Sequence, residues 1–421
     1  MNVAIIGGGA AGFFAALSCK HHHPHAQVSL YEKTSKLLAK VKVSGGGRCN
    51  VTHACFTTSQ LIKNYPRGGK SLKKLFTAFS AQDTIDWFQQ RGVALHTEAD
   101  GRMFPTTNES QTIIDCLIQE AQRLDVAIHP HAPVQSLRYD GAQYQLTING
   151  RTVFADRVVV ASGGSPKRSG LDWLAAMGHT IQPPVPSLFT FNMPREAVTA
   201  LPGLSVDHAL VRIPGTKLVS EGPLLITHWG MSGPAILKLS AWGARELSER
   251  HYEFPVQVNW LGQVNEEAVR SAFLNELPTL AKRKVVNKNP FGLPQRLWQF
   301  LLGKTEVDPD RPWAEVSKKS RNVLLSTLLN DTYTVSGKTT FKEEFVTCGG
   351  VCLSNVNLRT MESNVCPGLY FAGEVLDIDG VTGGFNFQAA WSTGFVAGRL
   401  AGARIETRTL ATKAISSAIR E

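Results

Sequence analysis

Apolar positions follow two rhythms along this chain, one of period two and one near 3.6, and glycine-rich turns punctuate both. Residues 3–6 form a short apolar run, GGGAAG follows, and residues 10–17 are small or apolar with helical spacing. This predicts a buried strand, a tight turn and a helix able to lie close to a sheet. Residues 28–31 predict the next strand, which ends at Glu32. Helical periodicity covers 70–90 and 110–124, with EADGRMFPTTNES between them. Residues 126–129, 134–139, 144–148 and 152–154 alternate as strands do, and 157–161 is a continuous apolar strand running into SGGSPKRSG.

From about Ser187 the character changes. Short strand-like runs at 189–192, 209–213 and 254–260 are interrupted by prolines, and the chain from 265 to 331 is helical and charged, with ELPTLAKRKVV and SKKSRNVLLSTLL amphipathic. Near Val346 the first idiom returns in VTCGGVCLSN, a strand at 369–372 and a small-residue helix at 387–400. The expected organisation is a domain of residues 1–187 completed by 346–421. It is interrupted by an insert, 188–345, with a β part at 188–262 and a helical part at 263–335.

The first unit has a specific chemistry. Gly7 makes a tight turn, Gly9 lets backbone approach a pyrophosphate, and Gly12 lets helix and strand close together. The helix N-terminus offers unpaired N–H groups and partial positive charge to a diphosphate. Glu32 stands twenty residues beyond Gly12, where a carboxylate accepts ribose hydroxyls. The segment is therefore expected to bind an ADP moiety. A flavin must also be held by its ribityl chain and ring, and the C-terminal segment suits that. Glu374 can take a ribityl hydroxyl, and the turn Thr382-Gly383-Gly384-Phe385-Asn386 starts a helix whose N-terminus can face the pyrimidine oxygen. FAD is thus expected over NAD.

Composition narrows the class. With 421 residues and 43% hydrophobic content the chain can bury a large core of two or three domains. No run reaches the roughly 18 apolar residues of a membrane span, and residues 1–19 lack the basic leader of a secretory signal. Seven cysteines, an odd number, do not form a disulfide framework, so a cytoplasmic location is expected. The net charge of +10 sits entirely in residues 1–80, which hold eleven Lys or Arg and one acid, Glu32. Such a field favours anionic ligands: a solvated face, NADPH as co-substrate, or RNA. No nucleic-acid motif accompanies it, so nucleic acid is not the expected partner.

The motifs GGGAAG, VKVSGGGRCNVTH, GRMFP, VVVASGGSP, THWGMSGPAIL, VTCGGV and GLYFAGEVLDIDGVTGGFNFQ run in order over nearly the whole chain. Together they resemble the bacterial aminoacetone-oxidase-like family of FAD-dependent oxidoreductases, which includes a bile-acid reductase. The resemblance implies an α/β fold: a Rossmann-like, two-dinucleotide-binding-type FAD domain interrupted by a β-barrel plus α-helical domain. It carries non-covalent FAD contacts onto Gly7, Gly9, Ala10, Ala11 and Gly12 for the pyrophosphate, Glu32 and Lys33 for ribose, and Val134 for adenine. Lys42, Ser44, Gly45, Gly47, Arg48 and Cys49 would follow the pyrophosphate and flavin. Ala161, Ser162 and Gly163 would line the second turn, and Gly373, Glu374, Gly384, Phe385 and Asn386 the ribityl and flavin end. Two departures stand out: SLFTF after Pro186 replaces a more aliphatic run, and His53 stands where Asn is common.

Catalytic candidates are fewer. His228, between an apolar strand and a Pro-started helix, could pass a proton or brace its turn, and Arg102 could orient a carbonyl or pin its turn. Cys49 and Cys55, spaced C-x5-C, do not match a disulfide-reductase pair, and neither Cys348 with Cys352 nor the run His21 to His25 reads as a metal site. The expected activity is hydride transfer through flavin N5 to or from a small organic molecule, with NAD(P)H or oxygen as second substrate. The alternative is a flavin-containing RNA-binding or tRNA-modifying protein.

Overall fold

The computed structural model describes residues 1–263, 265–340 and 346–402. The rest of the expected completing segment, 403–421, lies outside the described residues, as do Val264 and 341–345 of the expected insert. Burial separates two cores. One gathers residues from both ends of the chain, Val3 to Ile181 and Val351 to Ala397, together with Ala241, and the other is drawn from Phe189 to Val335.

The strand Asn2–Ile6 is buried from Val3 onward because it lies inside a seven-stranded sheet, parallel to both Gln27–Tyr31 and Arg157–Val160. Ala127–His129 extends one side, and Leu369–Phe371 joins parallel to Arg157–Val160 on the other. The antiparallel strands Glu362–Ser363 and Val356–Asn357 complete that edge. Against the sheet the helix Ala10–His22 packs on the helix Phe385–Gly398. Their contact is too close for side chains: a Cβ on Gly394 would lie 2.6 Å from the Ala11 carbonyl oxygen, and one on Gly398 2.2 Å from that of Ala15. Ser18 Oγ donates to the Phe395 carbonyl across the same seam (2.6 Å).

The second core is built on a seven-stranded antiparallel sheet. Its edge strands, Asp331–Ser336 and Lys338–Thr339, are consecutive in the chain and separated only by Gly337. Gly337 accepts from Asn192 N (3.0 Å) and donates to the Tyr252 carbonyl (2.9 Å), so the sheet curls into a barrel-like closure there. The helices Glu266–Leu280, Gln295–Gly303 and Lys318–Asn330 contribute Phe273, Trp298 and Leu324 to this core. The strand leading in, Ile181–Ser187, pairs antiparallel with the strand leading out, Val346–Val351.

Three local expectations change. The helical stretch 70–90 is two helices, Gly69–Ala78 and Ala81–Gln89, because Ser80 and Asp83 form a capping box that starts the second. Residues 331–335, expected in the helical part, belong to a strand with an alternating buried pattern. The apolar strand expected before His228, whose bounds the sequence left open, runs over Val219–Thr227 and pairs along Ser205–Arg212.

Candidate cofactor site

The glycines of the first turn do three different things. Gly7, at φ +112°, has no room for a Cβ, which would lie 2.3 Å from the Ala161 carbonyl oxygen. A Cβ on Gly12 would fall 1.9 Å from the Gly7 oxygen. Around Gly9 no atom lies within 4 Å of the Cβ position, so this glycine faces open space at the N-terminus of the helix Ala10–His22. No side chain caps that helix, leaving its first N–H groups for an anion. An open cradle whose walls are closed to side chains is what a bound diphosphate requires, and the residues present fit it.

Glu32 is held by this turn. Its carboxylate accepts from Gly8 N (2.9 Å), Thr34 N (2.9 Å) and Thr34 Oγ1 (2.9 Å), which fixes its direction and leaves a lone pair on Oε2. Lys33 beside it is exposed. The Glu32 carbonyl accepts from Ala132 N (2.8 Å), bringing the start of the strand Val134–Tyr139 to the same edge.

The segment Ala39–Gly47 begins helical and unwinds at Ser44, Gly45 and Gly46. Leu38 N donates to the Gly8 carbonyl (2.8 Å), which ties this segment to the first turn. Lys42 is exposed, and Ser44 Oγ donates to the Val41 carbonyl (3.0 Å). Arg48 pairs with Glu98 (2.7 Å) and lies 4.0 Å over the Phe104 ring. Cys49 is buried in a left-handed conformation, φ +62°, and burial pushes its thiol up to about 12. It is a neutral packing residue at physiological pH, and it and Cys55 are both free thiols. Gly46 and Gly47 both face open space.

A second turn meets the C-terminal segment. Ala161 N donates to the Ile6 carbonyl (2.8 Å), Ser162 follows, and Gly163, at φ +75°, faces open space. A Cβ on Gly164 would come within 2.4 Å of Thr347 Oγ1 and 2.5 Å of Glu374 Oε1. Glu374 pairs with Lys40 (2.5 Å) and accepts from Thr347 N (2.8 Å). Thr347 Oγ1 is buried without a hydrogen-bond partner, a deficit of about 1–3 kcal/mol that a ligand hydroxyl can relieve. Gly373, at φ +75°, sits against Ala11, whose Cβ is 2.7 Å from the position a Gly373 side chain would take. The ribityl candidates thereby lie beside the pyrophosphate candidates.

Gly384, at φ +90°, starts the helix Phe385–Gly398 without a side-chain cap. Asn50, its amide turned to satisfy both neighbours, accepts from Gly384 N (3.0 Å) and donates to the Thr52 carbonyl (3.0 Å). Asn386 uses both ends of its amide on Gly380 (2.8 and 2.9 Å). Tyr65 OH donates to the Phe385 carbonyl (2.7 Å), and the His53 ring stacks on Phe385 at 4.7 Å.

The catalytic candidates sit differently. Arg102 is pinned by Glu98 (2.7 Å) and Asp100 (2.7 Å) in the small sheet that also carries His53. His228 is exposed at the tip of the hairpin joining Val219–Thr227 to Gly230–Ser232, its ring edge-on to Trp229 at 4.3 Å. Gly8, Lys40, Asn50, Gly164 and Thr347 were not among the expected site residues. The second glycine of VVVASGGSP and the threonine of VTCGGV were the signals available for two of them. Among the described residues no cluster of His, Cys, Asp and Glu could hold a metal, and no helix is long and apolar enough to cross a membrane.

Fold and site together define a flavoprotein oxidoreductase of the FAD-binding Rossmann class. The chain belongs to the family described as HI0933-like protein Rossmann domain, which matches residues 1–400. It is 28% identical over 411 residues to a 3-dehydro-bile acid delta(4,6)-reductase of Clostridium scindens, covering 96% of this chain and 99% of that one. It is 31% identical over 403 residues to a ribosomal RNA dihydrouridine synthase of Escherichia coli, covering 93% and 96%. A solved 3-ketosteroid delta1-dehydrogenase from Sterolibacterium denitrificans aligns with 94% of this chain and 98% of its own at 12% identity and a TM-score of 0.49.

Proposed function

We propose that this protein is an FAD-dependent reductase of carbon–carbon double bonds conjugated to a carbonyl, drawing on NAD(P)H, with a small organic molecule as substrate. One observation carries the cofactor: the turn at Gly9 is open where a diphosphate would lie and closed to side chains at Gly7 and Gly12. The reaction rests on chemistry common to two relatives. A 3-dehydro bile acid with delta(4,6) unsaturation and the uracil ring that becomes dihydrouridine each carry a C=C bond conjugated to a carbonyl.

Bound flavin supplies the hydride at N5. The chain's own residues hold it: the first helix takes the diphosphate, Glu32 the ribose, and Glu374 with Thr347 the ribityl hydroxyls. The uncapped N-terminus of the helix Phe385–Gly398 would hold the pyrimidine end and would favour negative charge there. His228 is the candidate to deliver the substrate's proton, and Arg102 to steady its carbonyl side.

A nucleic-acid substrate is a second reading, favoured by one surface. Lys63, Lys70, Lys73 and Lys74 are exposed and, among the described residues, form no ion pair. They flank Tyr65 and Arg67, which bond to Phe385 and Asp379 beside the flavin helix. Phosphate-binding lysines are suited to that position.

Anaerobic titration with NADPH and NADH, following bleaching of the visible flavin band, tests the first step. Reoxidation is then compared among a conjugated enone, uridine-containing RNA and oxygen. Failure of both nicotinamides to reduce the flavin, or reoxidation by oxygen alone, rejects the reductase reading. Dihydrouridine in the RNA, detected by mass spectrometry, selects the nucleic-acid substrate.

A further inference from the structure

His53 closes the short strand Thr52–His53, paired with Arg102–Pro105. Its ring is gripped on three sides. It stacks on Phe385 with an interplanar angle of 19°. A Cβ on Gly101 would lie 2.4 Å from its Cε1, and one on Gly383 would lie 3.5 Å from its Cδ2. Only the Gly101 position is too close for a side chain, so that glycine makes the room the ring occupies. Nε2 lies 3.1 Å from the Asp100 carbonyl oxygen, which can only accept, so Nε2 carries a hydrogen. In the neutral ring Nδ1 is then a bare lone pair, buried without a partner, and the stack on Phe385 places the ring beside the start of the helix Phe385–Gly398.

Resting on the FAD reading above, we propose that His53 is the proton-carrying partner of the flavin's pyrimidine edge: Nδ1 accepts a hydrogen bond there in the oxidised enzyme and becomes protonated when the flavin is reduced. The balance is simple. A hydride from NAD(P)H brings two electrons and one proton to the flavin and leaves it negatively charged, and a second proton, from solvent, goes to Nδ1. Within the protein alone, burial lowers the affinity of His53 for that proton, with the Asp100 carbonyl and carboxylate opposing the effect and Lys238 and Arg102 adding to it. Negative charge on the reduced flavin reverses the balance. Uptake of the second proton is therefore confined to a window that opens below the ordinary imidazole value and extends above it.

The test is the flavin midpoint potential of the full-length holoenzyme from about pH 5 to 9, for the parent, His53→Asn and His53→Gln. For a two-electron couple each proton taken up contributes about 30 mV per pH unit. The parent should take up two protons inside the window, a slope of about 59 mV, and both variants one. Equal slopes in parent and variants, or uptake of one proton throughout by the parent, overturn the role of His53. In parallel, nitrogen NMR of the oxidised and reduced parent reads the ring directly, with a neutral Nε2–H form giving way to imidazolium. An imidazole unchanged on reduction overturns the proposal without any variant. FAD content is measured first: a folded protein that takes up no FAD defeats the cofactor reading, whereas bound FAD with an indifferent His53 defeats this inference alone.

Discussion

Arg67 and Asp379, 312 residues apart in sequence, meet through both arms of the guanidinium, Nε donating to Oδ1 at 2.5 Å and Nη2 to Oδ2. Asp379 is fully buried and also accepts from Ser187 Oγ (2.7 Å), while Arg67 Nη1 donates to the Ala241 carbonyl (2.6 Å). The pair thus ties the loop carrying Asp379 to the strand leading into the second core and to the helix Pro234–Trp242. Arg67→Met strands a buried carboxylate and should cost about 3–5 kcal/mol, and Arg67→Met with Asp379→Leu should recover part of it. Urea unfolding reads both. A loss under about 1 kcal/mol in the single variant, within the range of exposed pairs, contradicts this account.

Gly9 and Gly12 should separate binding from folding. A methyl on Gly9 meets no protein atom, so Gly9→Ala should unfold at the parent's temperature as apoprotein and yet lose FAD affinity at least tenfold. A methyl on Gly12 meets the Gly7 oxygen at 1.9 Å, so Gly12→Ala should lower the unfolding temperature itself. Thermal unfolding with fluorescence titration of FAD checks the contrast, and matching behaviour of the two variants refutes it.

Glu32→Gln keeps the size of the side chain and replaces one carboxylate oxygen with a donor. The acceptor bonds to Gly8 and Thr34 cannot all survive. Loss of a hydrogen bond to a charged group, about 1.5–3 kcal/mol, should weaken FAD binding by roughly tenfold to a hundredfold. Equilibrium dialysis at fixed salt measures it, and unchanged affinity removes Glu32 from the ribose site.

His228→Ala should keep both fold and FAD, because the ring is exposed at the hairpin tip, edge-on to Trp229. Stopped-flow traces of the substrate half-reaction should slow by about 10²-fold if imidazole delivers the proton. A rate within about twofold of the parent leaves the residue as a surface brace and ends its candidacy as the acid.

Stability should fall in acid partly through Glu120, which is buried and paired with Arg123 (2.7 Å) and Arg91 (2.8 Å). The hydrogen bond from Arg123, more than offsetting burial, holds its carboxyl below the ordinary value. The contribution is fully present above the unfolded carboxylate value of about 4.3 and disappears as pH falls through the folded one. Glu120→Gln should therefore be less stable than the parent at neutral pH, with the difference shrinking below about pH 4. Denaturation midpoints across that range decide it, and a gap that persists at low pH rules out the charged form as the source.

What the sequence revealed is what is local. Gly7, Gly9, Gly12 and Glu32 lie in one strand–helix–strand unit, so their spacing carries the geometry. The extent of the strand Val219–Thr227 was not legible because Gly222 and Pro223 interrupt its alternation where the pairing register shifts. The break at Ser80 was written as S-x-x-D inside a continuous helical rhythm, and the rhythm masked it. Lys40 could not be seen as a site residue, and His53 stood out only as a departure, since each acquires its meaning from a partner more than 300 positions away: Glu374 for Lys40 and Phe385 for His53. Periodicity reports which face of an element is buried and says nothing of which distant loop will cover it.

The seam between the helices Ala10–His22 and Phe385–Gly398 also sets a timetable. During synthesis the strand Arg157–Val160 emerges with one flank bare, and the strand that fills it, Leu369–Phe371, follows about 200 residues later. At roughly 5–20 residues per second the wait is on the order of 10–40 s. Throughout it the apolar face of the first helix, Phe14 included, has no Gly394 or Trp391 to lie against. The second core is complete in sequence by Val335 and can fold first. A nascent chain that has cleared the ribosome past Val335 but not yet to Leu369 should therefore carry a finished insert beside an unfinished, adhesive nucleotide fold, the form of this protein most in need of a chaperone.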